Sequence, residues 1–346
     1  MELEREGKTP FLDLSVNLNP WGPPAIVRKR WAELYRYVGF YPPLRLSFYQ
    51  EAIAKLYSFS SQWILPTNGA TQGIYLLGRI LPVERVLIVE PCFTEYRRAF
   101  LLGGKRIIPF LAFPSLDPER MEALLTQERI EAVVFGNPSN PLGRADEVSL
   151  YHSLRRKEGG ERLVFIVDEA FQEFMGEETS LVPWVERDTR LYVIRSLTKY
   201  YALPGLRGGF IVTHPANVRA LEEQVEPWSI NSLLAQILLL LGEEDFSSFH
   251  RETAEKLKEE KRFLEKAFSA WSSFWDFFPS LVNFYTLRSR DRGEDFFSFL
   301  SARKVVVRRL GDFLGLGEQF FRIAVRTRRE NQIFLEVVEE FVRQFQ

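Results

Sequence analysis

Cysteine is almost missing from this chain of 346 residues. Cys92 stands alone, so no intrachain disulfide can form, and a lone thiol suits a reducing compartment and the role of a small buried hydrophobe. Histidine is scarce as well. His152, His214 and His250 are too widely separated for a zinc-binding spacing, and no metal site is expected. Neither sign of charge predominates: 45 Lys and Arg face 46 Asp and Glu, which leaves no electrostatic footprint for nucleic acid. The opening residues carry no apolar leader, and charges bound every long apolar stretch, LLAQILLLLG (233–242) included. Repeats and low-complexity segments are absent too. These absences together predict a cytoplasmic protein with neither membrane nor nucleic acid as partner.

What is present is an α/β alternation. Apolar, β-branched runs at 86–90, 106–110, 132–136, 164–170, 191–196 and 208–214 alternate with helical segments, the pattern of a mostly parallel sheet covered on both faces. A charged helix over 249–268 then leads to strands VNFYTLR, KVVVRRL and FRIAVRT and a last helix over 330–345. This divides the chain into an arm (1–40, with a helix over 26–38), a larger α/β domain (41–242) and a smaller α+β domain (243–346). The Phe-rich stretches FWDFFPS and EDFFSFL read as core packing.

The most specific string is RSLTKYYALPGLR (195–207). Lys199, preceded by Ser196 and Thr198 and followed by Arg207 behind a Pro-Gly turn, suits a Schiff-base lysine beside a bound phosphate. Hydroxyls and a guanidinium fork would hold the phosphate, with Gly205 turning the chain back. Together these point to pyridoxal phosphate. The remaining parts of such a site follow in order. Asp168, at the end of a buried strand, can pair with a pyridine nitrogen. Asn140, in the Pro-rich turn of AVVFGNPSNPLG, can bond a ring hydroxyl. Gly69, Ala70 and Thr71 stand where a loop becomes a helix, with free N–H groups for phosphate. Phe93 can stack on the ring. Each has a plain alternative (a capping Asp, a turn Asn, a helix N-terminus, a core Phe), but the ordered set favours the cofactor site.

These residues resemble fold type I pyridoxal-phosphate enzymes, the aspartate aminotransferase superfamily, from about Asp13 to the C-terminus. Within it the chain resembles the branch that holds histidinol-phosphate aminotransferase and L-threonine-O-3-phosphate decarboxylase. DLSVNLNPWGPP, RSLTKYYALPGLR, EPWSINSLLAQ and FRIAVRTRREN are similar to the decarboxylase group. The resemblance implies Lys199 and Asp168 as catalytic residues, with Ala70, Thr71, Ser196, Thr198 and Arg207 around the phosphate, Asn140 on the 3-hydroxyl and Phe93 on the ring. It implies Arg322 on the substrate carboxylate, Arg308 at the position of the phosphate-binding arginine of histidinol-phosphate aminotransferase, and Asn17 facing the substrate. Tyr41 would reach the cofactor phosphate of a neighbouring subunit, so a homodimer with shared sites is implied. Two positions depart from the pattern: Phe171 stands where many relatives have Tyr, and FYPPLR lacks the usual acidic residue after its first proline.

A phosphorylated amino acid needs separate forks for carboxylate and phosphate. Arg308, Arg309, Arg322, Arg326, Arg328 and Arg329 crowd the C-terminal region. Period-two alternation through FRIAVRT would put Arg322 and Arg326 on one face, with Arg326 joining Arg308 on the phosphate, whereas Arg328 and Arg329 read as a solvated helix start. The activity the resemblance implies is decarboxylation of L-threonine O-3-phosphate to aminopropanol phosphate, a cobalamin-pathway step. Histidinol-phosphate aminotransfer is the alternative, and a non-catalytic binding module a third reading that the retained Lys199 disfavours.

Overall fold

The computed structural model describes residues 12–157, 159–243, 245–291 and 293–345. Its strands are β1 (Leu12–Asp13), β2 (Ile64–Asn68), β3 (Arg85–Glu90), β4 (Arg106–Leu111), β5 (Ala132–Gly136), β6 (Val164–Asp168) and β7 (Leu191–Ser196). After these come β8 (Gly208–Thr213), β9 (Trp275–Phe278), β10 (Phe284–Ser289), β11 (Val305–Val306), β12 (Arg308–Arg309) and β13 (Phe320–Ala324).

Seven strands form one sheet in the order β2-β8-β7-β6-β5-β3-β4. Only β8 runs against the others, pairing antiparallel with both β7 and β2. Alternation explains why the central runs are apolar throughout. Along β6, Phe165 and Val167 enter one core while Val164 and Ile166 enter the core on the opposite face. The C-terminal ends of β2, β5, β6 and β7 and the start of β8 meet at one edge of this sheet. Gly136 pairs with Asp168, Ser196 with Gly209 and Asn68 with Gly208. In an open α/β sheet that edge is where ligands are held.

A second sheet, β12-β13-β10-β9, is antiparallel and packs with helices Ser247–Ala270, Gly293–Ala302 and Arg328–Phe345 around its own core. In the last helix Phe334, Leu335, Val338, Phe341 and Val342 are buried, the spacing of one apolar stripe. The arm joins this part of the molecule: β1 pairs in parallel with β11, Leu12 opposite Val305. The expectations for residues 1–11 lie outside the described residues.

Three elements differ from those the sequence predicts. The helix over 26–38 is broken into Ala25–Lys29, Trp31–Leu34 and a 3-10 turn at Tyr35–Gly39. Its apolar residues share no buried face, since Val27 and Leu34 are buried while Trp31, Tyr35 and Val38 point outward. β2 is an additional strand. Pro66 within it removes an amide donor and disguises it, which an edge position with one neighbour tolerates. FWDFF is strand β9, with Trp275 buried and Phe277 stacked on Phe268 at 5.4 Å.

Phe268 is the hub of that aromatic core, with Trp271, Trp275, Phe277 and Phe334 all within 6.2 Å between ring centroids. Replacement by Ala is expected to cost about 3–5 kcal/mol in a urea unfolding titration. A loss under about 1 kcal/mol would show that this core collapses around the gap or contributes little.

Candidate active site

Two strand ends at the common edge deliver polar groups to it, Asp168 from β6 and Ser196 from β7. β6 ends in Asp168, which is buried. Its Oδ2 accepts a hydrogen bond from the Tyr96 hydroxyl at 2.7 Å, and its Oδ1 accepts from the Ala170 amide at 2.9 Å. Burial pushes the carboxyl above its ordinary range, opposed by these two bonds and by the nearby Lys199 charge. β7 ends in Ser196, whose hydroxyl lies 2.8 Å from that of Thr198. Lys199 follows on the connecting loop.

The Lys199 amine is pushed down to about 8, chiefly by burial and then by the positive charges of Arg322 and Arg207, with Asp168 pulling the other way. At neutral pH a usable fraction is therefore uncharged, as a nucleophilic or proton-accepting amine requires. Its Nζ lies 5.8 Å from the ring centre of Phe171, which packs edge-on against Phe284.

Arg207 closes one side of the pocket. The sequence assigned the turn to Gly205, but the left-handed residues are Ala202 and Arg207 (φ 49° and 55°), and Pro204–Leu206 forms a 3-10 turn between them. A non-glycine residue in this region costs about 1 kcal/mol, and here it brings the Arg207 guanidinium over Gly69 at the start of helix Gly69–Ile80. A Cβ on Gly69 would lie 2.6 Å from Arg207 Nη2, and one on Gly209 would lie 2.4 Å from the Ala70 amide nitrogen. The absence of side chains at both positions shapes a cradle where helix N-terminal amides, two hydroxyls and a guanidinium converge.

One pocket thus brings together Ala70, Thr71, Phe93, Asn140, Asp168, Ser196, Thr198, Lys199 and Arg207, with Gly69 beneath Arg207. Sequence reasoning overlooked Tyr96 and Gly209. Neither carries a local signal: Tyr96 joins the site only through its bond to Asp168, and Gly209 only through its approach to the Ala70 amide.

The second sheet supplies the arginines. Arg322 in β13 stands directly opposite Arg308 in β12 and Thr286 in β10, so the three share one face. Arg322 is buried, and its Nη1 donates to Asn140 Oδ1 and its Nη2 to the Ser15 carbonyl at 2.9 Å. Its Nε is buried without a partner. Burial and then the Arg308 charge weigh against its ionised form, although a guanidinium stays protonated in proteins. Arg308 is bonded to Asp312 at 2.6 Å and remains partly exposed.

Arg326 departs from expectation. β13 ends at Ala324, so strand alternation does not extend to Arg326, and its guanidinium is held by Glu330 at 2.7 Å. The structure thus does not align it with Arg322 and Arg308. Arg328 starts the last helix and pairs with Glu260 at 2.9 Å. Asn17 is buried with its Oδ1 unpartnered, in a segment that passes Lys199 through the Asn19 amide, bonded to the Lys199 carbonyl at 3.0 Å. Tyr41 lies apart from the pocket within its own chain, 85% exposed and packed on Trp228.

The donor set fits pyridoxal phosphate: a depressed lysine amine, a buried carboxylate for a ring nitrogen, an amide side chain and a glycine-shaped anion cradle. Fold and site define a pyridoxal-phosphate-dependent enzyme. The chain belongs to the family "Aminotransferase class I and II", which it matches over residues 9–338. It is 29% identical over 330 residues to the threonine-phosphate decarboxylase of Salmonella typhimurium, covering 94% of this chain and 89% of that one. It is 28% identical over 350 residues to the histidinol-phosphate aminotransferase of Moorella thermoacetica, covering 99% and 88%. Among solved structures it is similar to the histidinol-phosphate aminotransferase from Clostridium acetobutylicum, with a TM-score of 0.87, 25% identity and coverage of 96% and 99%. No helix among the described residues is long and apolar enough to cross a membrane.

The depressed amine is directly measurable. With Lys199 reductively methylated using a carbon-13 label in the cofactor-free protein, its methyl resonance is expected to titrate near pH 8. A midpoint at the ordinary lysine value, about 10.4, would contradict the burial argument.

Proposed function

We propose that this protein decarboxylates L-threonine O-3-phosphate to aminopropanol phosphate, a step of cobalamin synthesis. The observation that carries this is the placement of Arg322 and Arg308 opposite each other on one face of the second sheet. Threonine phosphate bears two anions, a carboxylate and a phosphate, and two adjacent guanidinium groups match that pair. Histidinol phosphate bears only one, although the 2-oxoglutarate that aminotransfer also consumes bears two carboxylates, so the paired forks support this reading together with the relatives. The Salmonella relative supports the same assignment.

In this reading Arg322 takes the carboxylate with Nε, its free donor, and Arg308 turns from Asp312 to the phosphate, with Asn17 beside the substrate. Asp168 holds a proton at the ring nitrogen, supported by Tyr96 and the Ala170 amide. Asn140 bonds the ring hydroxyl, alone in this role because Phe171 has none to offer. Phe93 stacks on the ring. Gly69, Ala70, Thr71, Ser196, Thr198 and Arg207 hold the phosphate. Pyridoxal phosphate, when bound, supplies the electron sink for the pair left on Cα. The bond from Cα to the carboxylate carbon breaks, CO₂ leaves, and Lys199 delivers a proton to Cα. Clamping both anions selects the bond that breaks by fixing its direction relative to the ring.

A homodimer with shared sites is part of the proposal. Tyr41, Phe40 and Trp228 stand outward, as do Tyr35 and Trp31, an apolar surface suited to a second copy that would bring Tyr41 to its partner's phosphate. Histidinol-phosphate aminotransfer is the second reading, favoured by the Moorella relative.

Product analysis separates the two. Incubated with threonine phosphate alone, the cofactor-loaded protein is expected to release CO₂ and aminopropanol phosphate in equal amounts, and a Lys199→Ala variant neither. Glutamate formation from histidinol phosphate and 2-oxoglutarate, without CO₂ from threonine phosphate, would establish aminotransfer instead.

A further inference from the structure

The segment between β1 and helix Ala25–Lys29 crosses from the second sheet to the loop that carries Lys199. At its first end the second sheet holds its main chain. The Leu14 amide donates to the Val306 carbonyl, and the Leu14 carbonyl accepts from the Ala324 amide, both at 2.8 Å. The Ser15 carbonyl accepts from Arg322 at 2.9 Å, and the Leu18 carbonyl from the Asn283 side chain at 3.1 Å.

At the other end stands Asn19, which is buried. Its amide donates to the Lys199 carbonyl at 3.0 Å, and its Nδ2 donates to the next carbonyl, that of Tyr200, also at 3.0 Å. Its own acceptors are used locally. Oδ1 accepts from the Trp21 amide and the Asn19 carbonyl from the Gly22 amide, each at 3.2 Å, which closes a turn over residues 19–22 and fixes the orientation of the side chain.

The Lys199 loop needs a partner of this kind. β7 ends at Ser196, and the Leu197 amide makes the last bond to β8, with the Gly208 carbonyl at 3.1 Å. Beyond it the ladder no longer fixes the chain. The Lys199 carbonyl also accepts from the Ala202 amide at 3.3 Å, a bond within the loop itself, whereas the bonds that reach these two carbonyls from another segment both come from Asn19. Tyr200 is buried, so a carbonyl left there without a donor costs about as much as a lost hydrogen bond, and the peptide would turn to find one. Turning that peptide redirects the side chain of Lys199. Asn19 itself does not line the pocket.

We propose that Asn19 is a positioning residue that aims Lys199 into the pocket and carries the placement of the second sheet to the reactive loop. The proposal rests on Lys199 being the reactive amine.

The test uses the full-length Asn19→Ala and Asn19→Ser variants, first free of cofactor and then loaded with pyridoxal phosphate. Serine keeps an acceptor for the Trp21 amide but is too short to reach the Tyr200 carbonyl, and it decides where alanine is too unstable to purify. With its loop untied the amine gains water. The labelled Lys199 methyl resonance is therefore expected to titrate about one unit higher than in the unaltered protein, and the visible band of the bound cofactor to develop roughly fivefold more slowly at pH 8. Thr253→Val, which removes the longer 3.4 Å contact of the same side chain, is expected to change neither. A merely structural role would lower the urea midpoint of the Asn19 variants while leaving both readouts unchanged in the folded protein. That result, or an equal change in Thr253→Val, would overturn the proposal. A visible band that persists in Lys199→Ala would instead overturn the reading of Lys199.

Discussion

The buried guanidinium of Arg322 joins three parts of the chain that meet nowhere else in sequence. It springs from the second sheet, bonds Asn140 beyond the end of β5 and bonds the carbonyl of Ser15 in the N-terminal segment. A charge removed from water at this depth persists only where hydrogen bonds compensate it. The two bonds therefore hold the second sheet in register with the cofactor edge of the first. Thr286, its neighbour in register, reinforces the junction by donating to the Pro141 carbonyl at 2.6 Å. The same guanidinium lowers the Lys199 amine, so Arg322 and Lys199 are electrostatically coupled.

Strand alternation keeps the polar groups of the pocket apart from the buried ion pair behind them. Asp168 and Ser196 face the cofactor edge, whereas their neighbours Glu169 and Arg195 point to the opposite side and form an ion pair with both side chains fully buried. Removing one partner of such a pair costs several kcal/mol, roughly 3–5, which ties the ends of β6 and β7 together from behind. The carboxylate and hydroxyl in front are thereby fixed without sharing their hydrogen bonds with the support. Asn137 extends the brace, donating to Glu169 at 3.1 Å and to the Thr179 carbonyl at 3.0 Å.

Much of this architecture is legible before folding, for a physical reason. Parallel strands buried on both faces must be apolar, so the polar residue that ends each run marks the sheet edge where a ligand can sit; Asp168 and Ser196 are read that way. Gly69 and Arg207 are read from the residue types a phosphate requires. Contacts between segments distant in sequence are less legible. Tyr96 resembles any helix tyrosine until β6 places Asp168 2.7 Å from its hydroxyl. Gly209 matters because β8 passes against the Ala70 amide, a closeness known only from the sheet order. Arg326 misleads because alternation holds only while the strand lasts, and β13 stops two residues short of it. β2 is hidden by Pro66, which an edge strand tolerates and a central one does not.

The central claim is that Arg322 provides the principal anion contact for the substrate. It is tested most directly by the equilibrium affinity of the unreactive Lys199→Ala protein for L-threonine O-3-phosphate, with and without Arg322→Gln. Loss of a charge-assisted fork is predicted to weaken binding on the order of a hundredfold, with the fold retained. Unchanged affinity in the folded double variant would contradict the account and place the substrate's anions elsewhere.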